Sequence, residues 1–259
     1  MKHLSHSGVA KAIVELSKRY FQVEINGLDN VPLFPENSML IMNHTAFFAL
    51  EVHLIAAQIL NRDPEQQLNT MVWEGFTDGP MGPYFKSFGC KAAKISTGVE
   101  LLKDNKTVLI MPEGVGAGDV MNRFNTFHSG FLRMVKEHPV PIVPIGFYGC
   151  DQSMPWFVSH NKFLVEKFME PVEPNFDGIF LPKIPIFRPT KIVFNVGKPI
   201  HLTKNDLSSE TKIQAQSLAV QTKIEQLVDN AQNYRNARIN ESRLNKLYHR
   251  VVQGHVSYL

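Results

Sequence analysis

A chain of 259 residues, 44% hydrophobic and 20% charged, carries enough apolar side chain to close a sizeable core, which argues against a disordered polypeptide and suits one large α/β domain as well as two small ones. Its net charge of +3 is spread without a Lys/Arg block, so nucleic acid is not an expected partner, while an anionic membrane surface is compatible. Cys90 and Cys150 are too few for a disulfide framework and lack metal-ligand spacing, which points to a reducing, cytosolic compartment and to no bound metal.

Residues 2–21 place Leu4, Val9, Ile13, Leu16 and Tyr20 on one stripe, with Lys11, Glu15, Lys18 and Arg19 elsewhere on the wheel. This predicts an N-terminal amphipathic helix, residues 1–22, whose stripe either rests in a bilayer interface or docks on the protein's own core. No apolar run reaches the roughly 20 residues of a membrane span, and the N-terminus lacks a signal-peptide core. The expected location is therefore the cytoplasmic side of a membrane, as a peripheral protein.

Phe21 to Ile25 alternates as a strand, and Ser38 to Met42 reads as a short buried strand. A helix is expected from Ala46 to Leu60, stopped by Asn61-Arg62-Asp63-Pro64. Met71 to Trp73 suggests a strand, Pro83 to Phe88 a brief helix ended by Gly89, and Cys90 to Ile95 another strand. Thr97 to Asp104 should be a helix capped by Ser96 or Thr97, and Thr107 to Met111 a buried strand. A helix ending at His138 and the strand Val140 to Tyr148 follow, with the prolines of the latter suggesting an end or irregular position. Gly178 to Phe187 is an apolar loop broken by prolines, and Lys191 to Gly197 a last strand. A polar helix is expected from Lys204 to about Ala231, with a further surface helix in the tail from Tyr234. The alternation predicts a mixed, largely parallel sheet flanked by helices, a single α/β domain over residues 23–203, and a helical extension over 204–259.

Two stretches carry chemistry. Asn43-His44 stands between the predicted strand and helix, with Glu51 seven residues beyond the histidine. In isolation His44 reads as a turn or capping residue; at a strand-to-helix junction it is also where a scaffold can present a general base. The second stretch, Pro112-Glu113-Gly114-Val115-Gly116-Ala117-Gly118-Asp119, follows a strand and brings backbone amides and a carboxylate to the edge where open α/β sheets bind ligands. No Gly-Lys-Ser/Thr follows, so it is not a phosphate-binding P-loop.

Asn-His early in the chain, Pro-Glu-Gly some seventy residues later, then Val140-Pro141-Ile142-Val143-Pro144-Ile145 and the closing Lys191 to Ile200 together resemble the glycerolipid acyltransferase superfamily, which includes 1-acylglycerol-3-phosphate acyltransferases. The resemblance runs from Phe21 to Leu202. It implies transfer of a fatty acyl group from acyl-CoA or acyl carrier protein to a lysophospholipid or glycerolipid hydroxyl, with no cofactor beyond the thioester co-substrate. The common pattern sets an aspartate five places after the histidine, where this chain has Ala49. A less typical branch sets the acid seven places on, where Glu51 falls, and also shares Pro-Glu-Gly-Val and the Phe124-Asn125-Thr126-Phe127-His128-Ser129-Gly130-Phe131 pattern; the chain is assigned to that branch.

The resemblance then implies His44 as general base and Glu51 as the carboxylate that orients it. Asn43, Glu113, Gly114, Gly116 and Arg123 are assigned to substrate binding, Glu113 toward acceptor hydroxyls, with a carboxylate that accepts backbone hydrogen bonds in a tight loop as the competing role for Glu113. Gly116 replaces the usual arginine, so Arg123, Lys91 or Lys94 would have to meet an acceptor phosphate. Phe47, Phe48, Phe76, Phe85 and Phe88 suit an acyl-chain lining, or simply core. The dyad has a geometric condition. In an unbroken helix, residues seven apart lie roughly 10 Å apart along the axis, so His44 must sit in a loop that curls back over the helix start. The competing reading, prompted by Ala49 and Gly116, is a catalytically inactive lipid- or acyl-binding protein of the same fold. The lack of a Gly-x-Ser-x-Gly elbow argues against a serine hydrolase.

Overall fold

The apolar runs become the strands of one sheet, and the segments between them become the helices that cover it. The computed structural model describes residues 6–45, 49–79, 82–114, 126–154, 156–169, 179–183 and 186–238. In chain order these form α1 (His6–Tyr20), β1 (Glu24–Asn26), β2 (Met39–Met42), α2 (Leu50–Arg62), β3 (Leu68–Val72), α3 (Glu74–Asp78), α4 (Gly82–Ser87) and β4 (Cys90–Ala92). There follow α5 (Ile95–Lys103), β5 (Thr107–Ile110), α6 (Gly130–Glu137), β6 (Ile142–Tyr148), β7 (Trp156–Ser159), α7 (Lys162–Leu164), β8 (Ile179–Pro182), β9 (Val193–Val196) and α8 (Glu210–Arg238).

Seven strands make the main sheet in the order β1-β9-β6-β2-β5-β3-β4, and β7 pairs with β8 in a separate ribbon. Every pairing in the main sheet is parallel except β6 with β9. The single α/β domain with a largely parallel sheet flanked by helices is thus the observed architecture. β2 lies at the centre, and Met39 to Met42 are fully buried because both faces are covered. Met39 and Ile41 join α5, α6 and α8 in one core, while Leu40 and Met42 join α2 in the other. Since β2, β5 and β6 are mutually parallel, their carboxyl ends reach the same edge, and whatever follows them is brought together there.

Several boundaries differ from the sequence expectation, each for a local reason. Gln22 adopts φ 44°, which breaks the extended run begun at Phe21, so β1 starts at Glu24. α2 starts at Leu50 rather than Ala46. α5 starts at Ile95 with Lys94 as its first flanking residue and no side-chain cap, which shortens β4 to Cys90–Ala92. β6 is an interior strand despite Pro144. The Pro144 carbonyl accepts the Gly197 N–H (2.8 Å) just past the end of β9, so the missing proline N–H falls where that ladder runs out. α8 starts at Glu210, after a turn in which the Thr203 amide and hydroxyl donate to Asp206, and it runs through Tyr234 to Arg238.

α8 presses Ile213, Val220, Ile224 and Val228 into the core beside β6. The approach needs Gly146, because a Cβ there would lie 2.6 Å from the Leu227 Cβ and 2.7 Å from the Val228 nitrogen. α1 packs on α2 through Ala10 and Val14 against Ala57, and Gln58 donates to the Ser17 hydroxyl (3.2 Å). Ile13 and Tyr20 of the predicted stripe also pack against the core on this side, while Leu16 is exposed. Among the described residues no helix is long and apolar enough to cross a membrane, and no group of His, Cys, Asp and Glu could hold a metal ion.

Candidate active site

His44 lies two residues past the last residue of β2, and the main chain turns before α2 begins. Ala49 adopts a left-handed conformation (φ 49°, ψ 44°) immediately before the first helical residue, Leu50. Glu51 sits in the first turn of α2, and its Oε1 hydrogen-bonds the Nδ1 of His44. The condition set by the seven-residue spacing is met by this geometry: the histidine is in a loop, and the helix that carries the carboxylate starts six residues after it. Ala46, Phe47 and Phe48 lie outside the described residues.

The two side chains occupy different surroundings. Glu51 is fully buried, whereas the His44 side chain is 29% exposed. The second carboxylate oxygen, Glu51 Oε2, is buried without a hydrogen-bond partner among the described residues. A carboxylate with one partner is electrostatically unsatisfied, so it strengthens the attraction for a proton on that partner. Burial by itself disfavours the imidazolium of His44; the charge and hydrogen bond of Glu51, with the charge of Glu113 behind them, outweigh it and raise the His44 pKa above its ordinary 6.5. A hydrogen bond from Nδ1–H to Glu51 assigns the proton to Nδ1 and leaves the Nε2 lone pair as the base.

Asn43 has a different place from the one expected. It is 1% exposed; its amide donates to the Phe147 carbonyl (3.3 Å), and its Oδ1 accepts the Phe147 N–H (3.1 Å). Both ends of the amide are used to continue the pairing of β2 with β6, so Asn43 is turned into the sheet and not toward a substrate. Glu113 is 4% exposed, and its Oε1 accepts the His44 backbone N–H at 2.9 Å. At least one of its oxygens is therefore spent on the protein rather than on an acceptor.

Gly114 follows at φ 77°, and a Cβ there would meet the His128 ring at 3.1 and 3.2 Å. His128 thus stands over the loop, held by its N–H donating to the Pro112 carbonyl (2.9 Å). Nothing in its sequence spacing marks it; only the pairing of these two loops brings it there. Gly116 and Arg123 lie outside the described residues. Lys91 and Lys94 are not beside His44: they belong to β4 and its end, three strand spacings from β2, roughly 14 Å at about 4.8 Å each. Lys94 is moreover paired with Glu74 at 2.7 Å.

The aromatic residues Trp73, Phe76, Phe85, Tyr84 and Phe88 form a cluster of edge-on and tilted ring contacts, which reaches α2 where Phe88 meets His53 edge-on at 5.3 Å. Phe76 and Phe88 are exposed, so these rings are a surface feature rather than core. Neither cysteine is suited to nucleophilic work: burial pushes the Cys90 thiol up to about 11, and burial with the charges of Glu51 and Asp151 pushes Cys150 well above its ordinary value.

An oriented imidazole at the carboxyl edge of a parallel sheet, with a buried carboxylate behind it, has the arrangement that proton transfer requires. The family comparisons fall on the same stretch. The Acyltransferase family model matches residues 22–148, a span that contains His44, Glu51 and Glu113. The crystal structure of the 1-acyl-sn-glycerophosphate (LPA) acyltransferase PlsC from Thermotoga maritima shares the fold, with a TM-score of 0.54 and 19% identity over 86% of this chain and 81% of that one. The protein ML2427 of Mycobacterium leprae (strain TN), described as uncharacterized, is 24% identical over 200 residues, 72% of this chain and 53% of its own length. The chain thus spans about half the length of the curated relative it matches. Residues 22–148 thus match the Acyltransferase family model, on a fold shared with the T. maritima protein.

Proposed function

We propose that the protein transfers a fatty acyl group from an acyl thioester, acyl-CoA or an acyl carrier protein, to a hydroxyl of a lysophospholipid or related glycerolipid, with His44 as general base and Glu51 as its orienting partner. The observation that carries this reading is the hydrogen bond from His44 to Glu51 across the turn at Ala49. In this mechanism Nε2 removes the proton of the acceptor hydroxyl as its oxygen attacks the thioester carbonyl. The tetrahedral intermediate collapses with cleavage of the carbon–sulfur bond, and the imidazolium returns the proton to the departing thiolate. Glu51 stabilises the imidazolium between the two transfers. The His44 N–H is already donated to Glu113, so the oxyanion donor must be another group.

Lysophosphatidate heads the acceptor panel because the T. maritima protein of the same fold is named for it. Contact with a membrane surface belongs to the same proposal. α1 carries Lys18 and Arg19 in its last turn and leaves Leu16 exposed, which is compatible with a peripheral role for this helix beside the catalytic domain.

The experiment is a transfer assay with labelled acyl-CoA and acyl carrier protein thioesters against a panel of lysolipids, wild type beside His44→Ala. Transfer that depends on His44 supports the reading. Transfer unchanged by His44→Ala overturns the mechanism, and tight acyl or lipid binding without transfer to any acceptor would favour an inactive binding protein.

A further inference from the structure

On the reading of His44 as the base, we propose that Glu113 is a positioning residue of the proton-transfer machinery: its carboxylate holds the His44 main chain in register with the end of β5 instead of binding the acceptor. The parallel register pairs Ile41 with Ile110, and three residues further on His44 falls opposite Glu113. Both strands have ended there, and a side chain takes over the ladder: Glu113 Oε1 accepts the His44 N–H at 2.9 Å. On the other flank of β2 the Asn43 amide does the same to the Phe147 backbone of β6.

The main chain of residues 43 and 44 is therefore tied to both neighbouring strands by buried side chains, while the imidazole itself is left partly open. A charge-assisted bond from a carboxylate is stronger than a neutral one, which suits a tether that fixes the catalytic ring within the small tolerance of proton transfer. Glu113 also contributes through charge, since its carboxylate is among the groups that raise the His44 pKa.

The test compares Glu113→Gln and Glu113→Ala for kcat, acceptor KM and the imidazole titration of His44, followed by 15N NMR on histidine-labelled protein with His44→Ala for assignment. Gln keeps an acceptor oxygen for the His44 N–H and removes the charge. It should fold, leave the acceptor KM within about threefold, lower kcat by about tenfold or less and move the His44 midpoint downward. Ala removes the tether and should lower kcat by about 100-fold at unchanged KM, with a shifted Nδ1–H resonance.

An acceptor KM raised about tenfold or more with an unmoved His44 midpoint would put Glu113 in the acceptor pocket and overturn the proposal. Unchanged kcat and midpoint in both variants would reduce Glu113 to a loop strut and overturn it equally. Because the titration needs no turnover, it separates the two failures: if His44→Ala retains activity while Glu113→Gln still shifts His44, the acyl-transfer mechanism falls and the tether stands. Should Glu113→Ala not fold, Glu113→Gln decides alone through its midpoint and KM.

Discussion

Two buried charges lie past the ends of neighbouring strands and are finished in opposite ways. Arg235 of α8 has three hydrogen bonds to fixed acceptors: its Nε donates to the Lys191 carbonyl (2.7 Å), one Nη to Gln152 Oε1 (2.5 Å) and Thr190 Oγ1 (3.2 Å), and its guanidinium lies 5.5 Å from the ring centre of Tyr148. Glu51 is buried as deeply, yet its one partner is the His44 ring, and Oε2 has none among the described residues. A charge held by several fixed acceptors is a strut, here joining α8 to the link between β6 and β9. A charge whose one partner among the described residues titrates and is partly open to solvent holds its surplus attraction for a proton. The difference separates structure from chemistry more sharply than burial does.

The largest effect should come from His44→Ala. It is expected to lower acyl transfer by about 10²–10⁴-fold in a protein whose far-UV circular dichroism is unchanged. Glu51→Gln keeps the shape and removes the charge, so the loss should be smaller, about 10²–10³-fold, and the pH–rate midpoint should move down because the charge that held it up is gone. Arg235→Ala should show the reverse profile. Leaving Gln152, Thr190 and Lys191 without their donor should cost about 2–4 kcal/mol of stability, read as a melting point lower by about 5–10 °C, while kcat stays within about threefold. If Arg235→Ala abolished activity without loss of stability, the contrast between strut and base would collapse.

The pH dependence sharpens the comparison further. On the proposed mechanism His44 is competent only when deprotonated, and its pKa is raised, so the rate should climb with pH through a midpoint above 6.5. Stability moves the other way. The raised pKa contributes stability that is fully present below the unfolded value of about 6.5 and is lost as pH rises through the folded value. Denaturant unfolding at stepped pH should show this slope in wild type and a reduced one in Glu51→Gln. The smallest effect belongs to the turn itself. Ala49→Gly relieves left-handed strain at φ 49° but adds freedom to the unfolded chain, so stability should change by less than about 1 kcal/mol in urea titrations, with activity retained.

Much of the architecture was legible in the residues. Apolar runs such as Thr107 to Ile110 and the strand–helix alternation predict a covered, largely parallel sheet because burial on both faces requires apolar side chains throughout. His44 and Glu51 could be named, and their spacing stated the bend they would need. Less legible were Asn43, read as a polar group facing substrate, and Glu113, whose sequence context allows either an acceptor contact or a bond to loop backbone. A sequence displays polarity but not the hydrogen-bond partner, and both partners here are backbone groups that another segment supplies.

The sequence by itself determined the class of fold, the family signature and the imidazole, since these depend on composition, periodicity and short motifs. Only the tertiary structure decided how that imidazole is held. The left-handed turn at Ala49 returns Glu51 to His44, and the register of β2 against β5 and β6 sets Glu113 and Phe147 beside residues 43 and 44. Register is a property of strands packed together, between segments about seventy and a hundred residues apart, and it is settled by burial across the whole sheet rather than by the residues around the histidine.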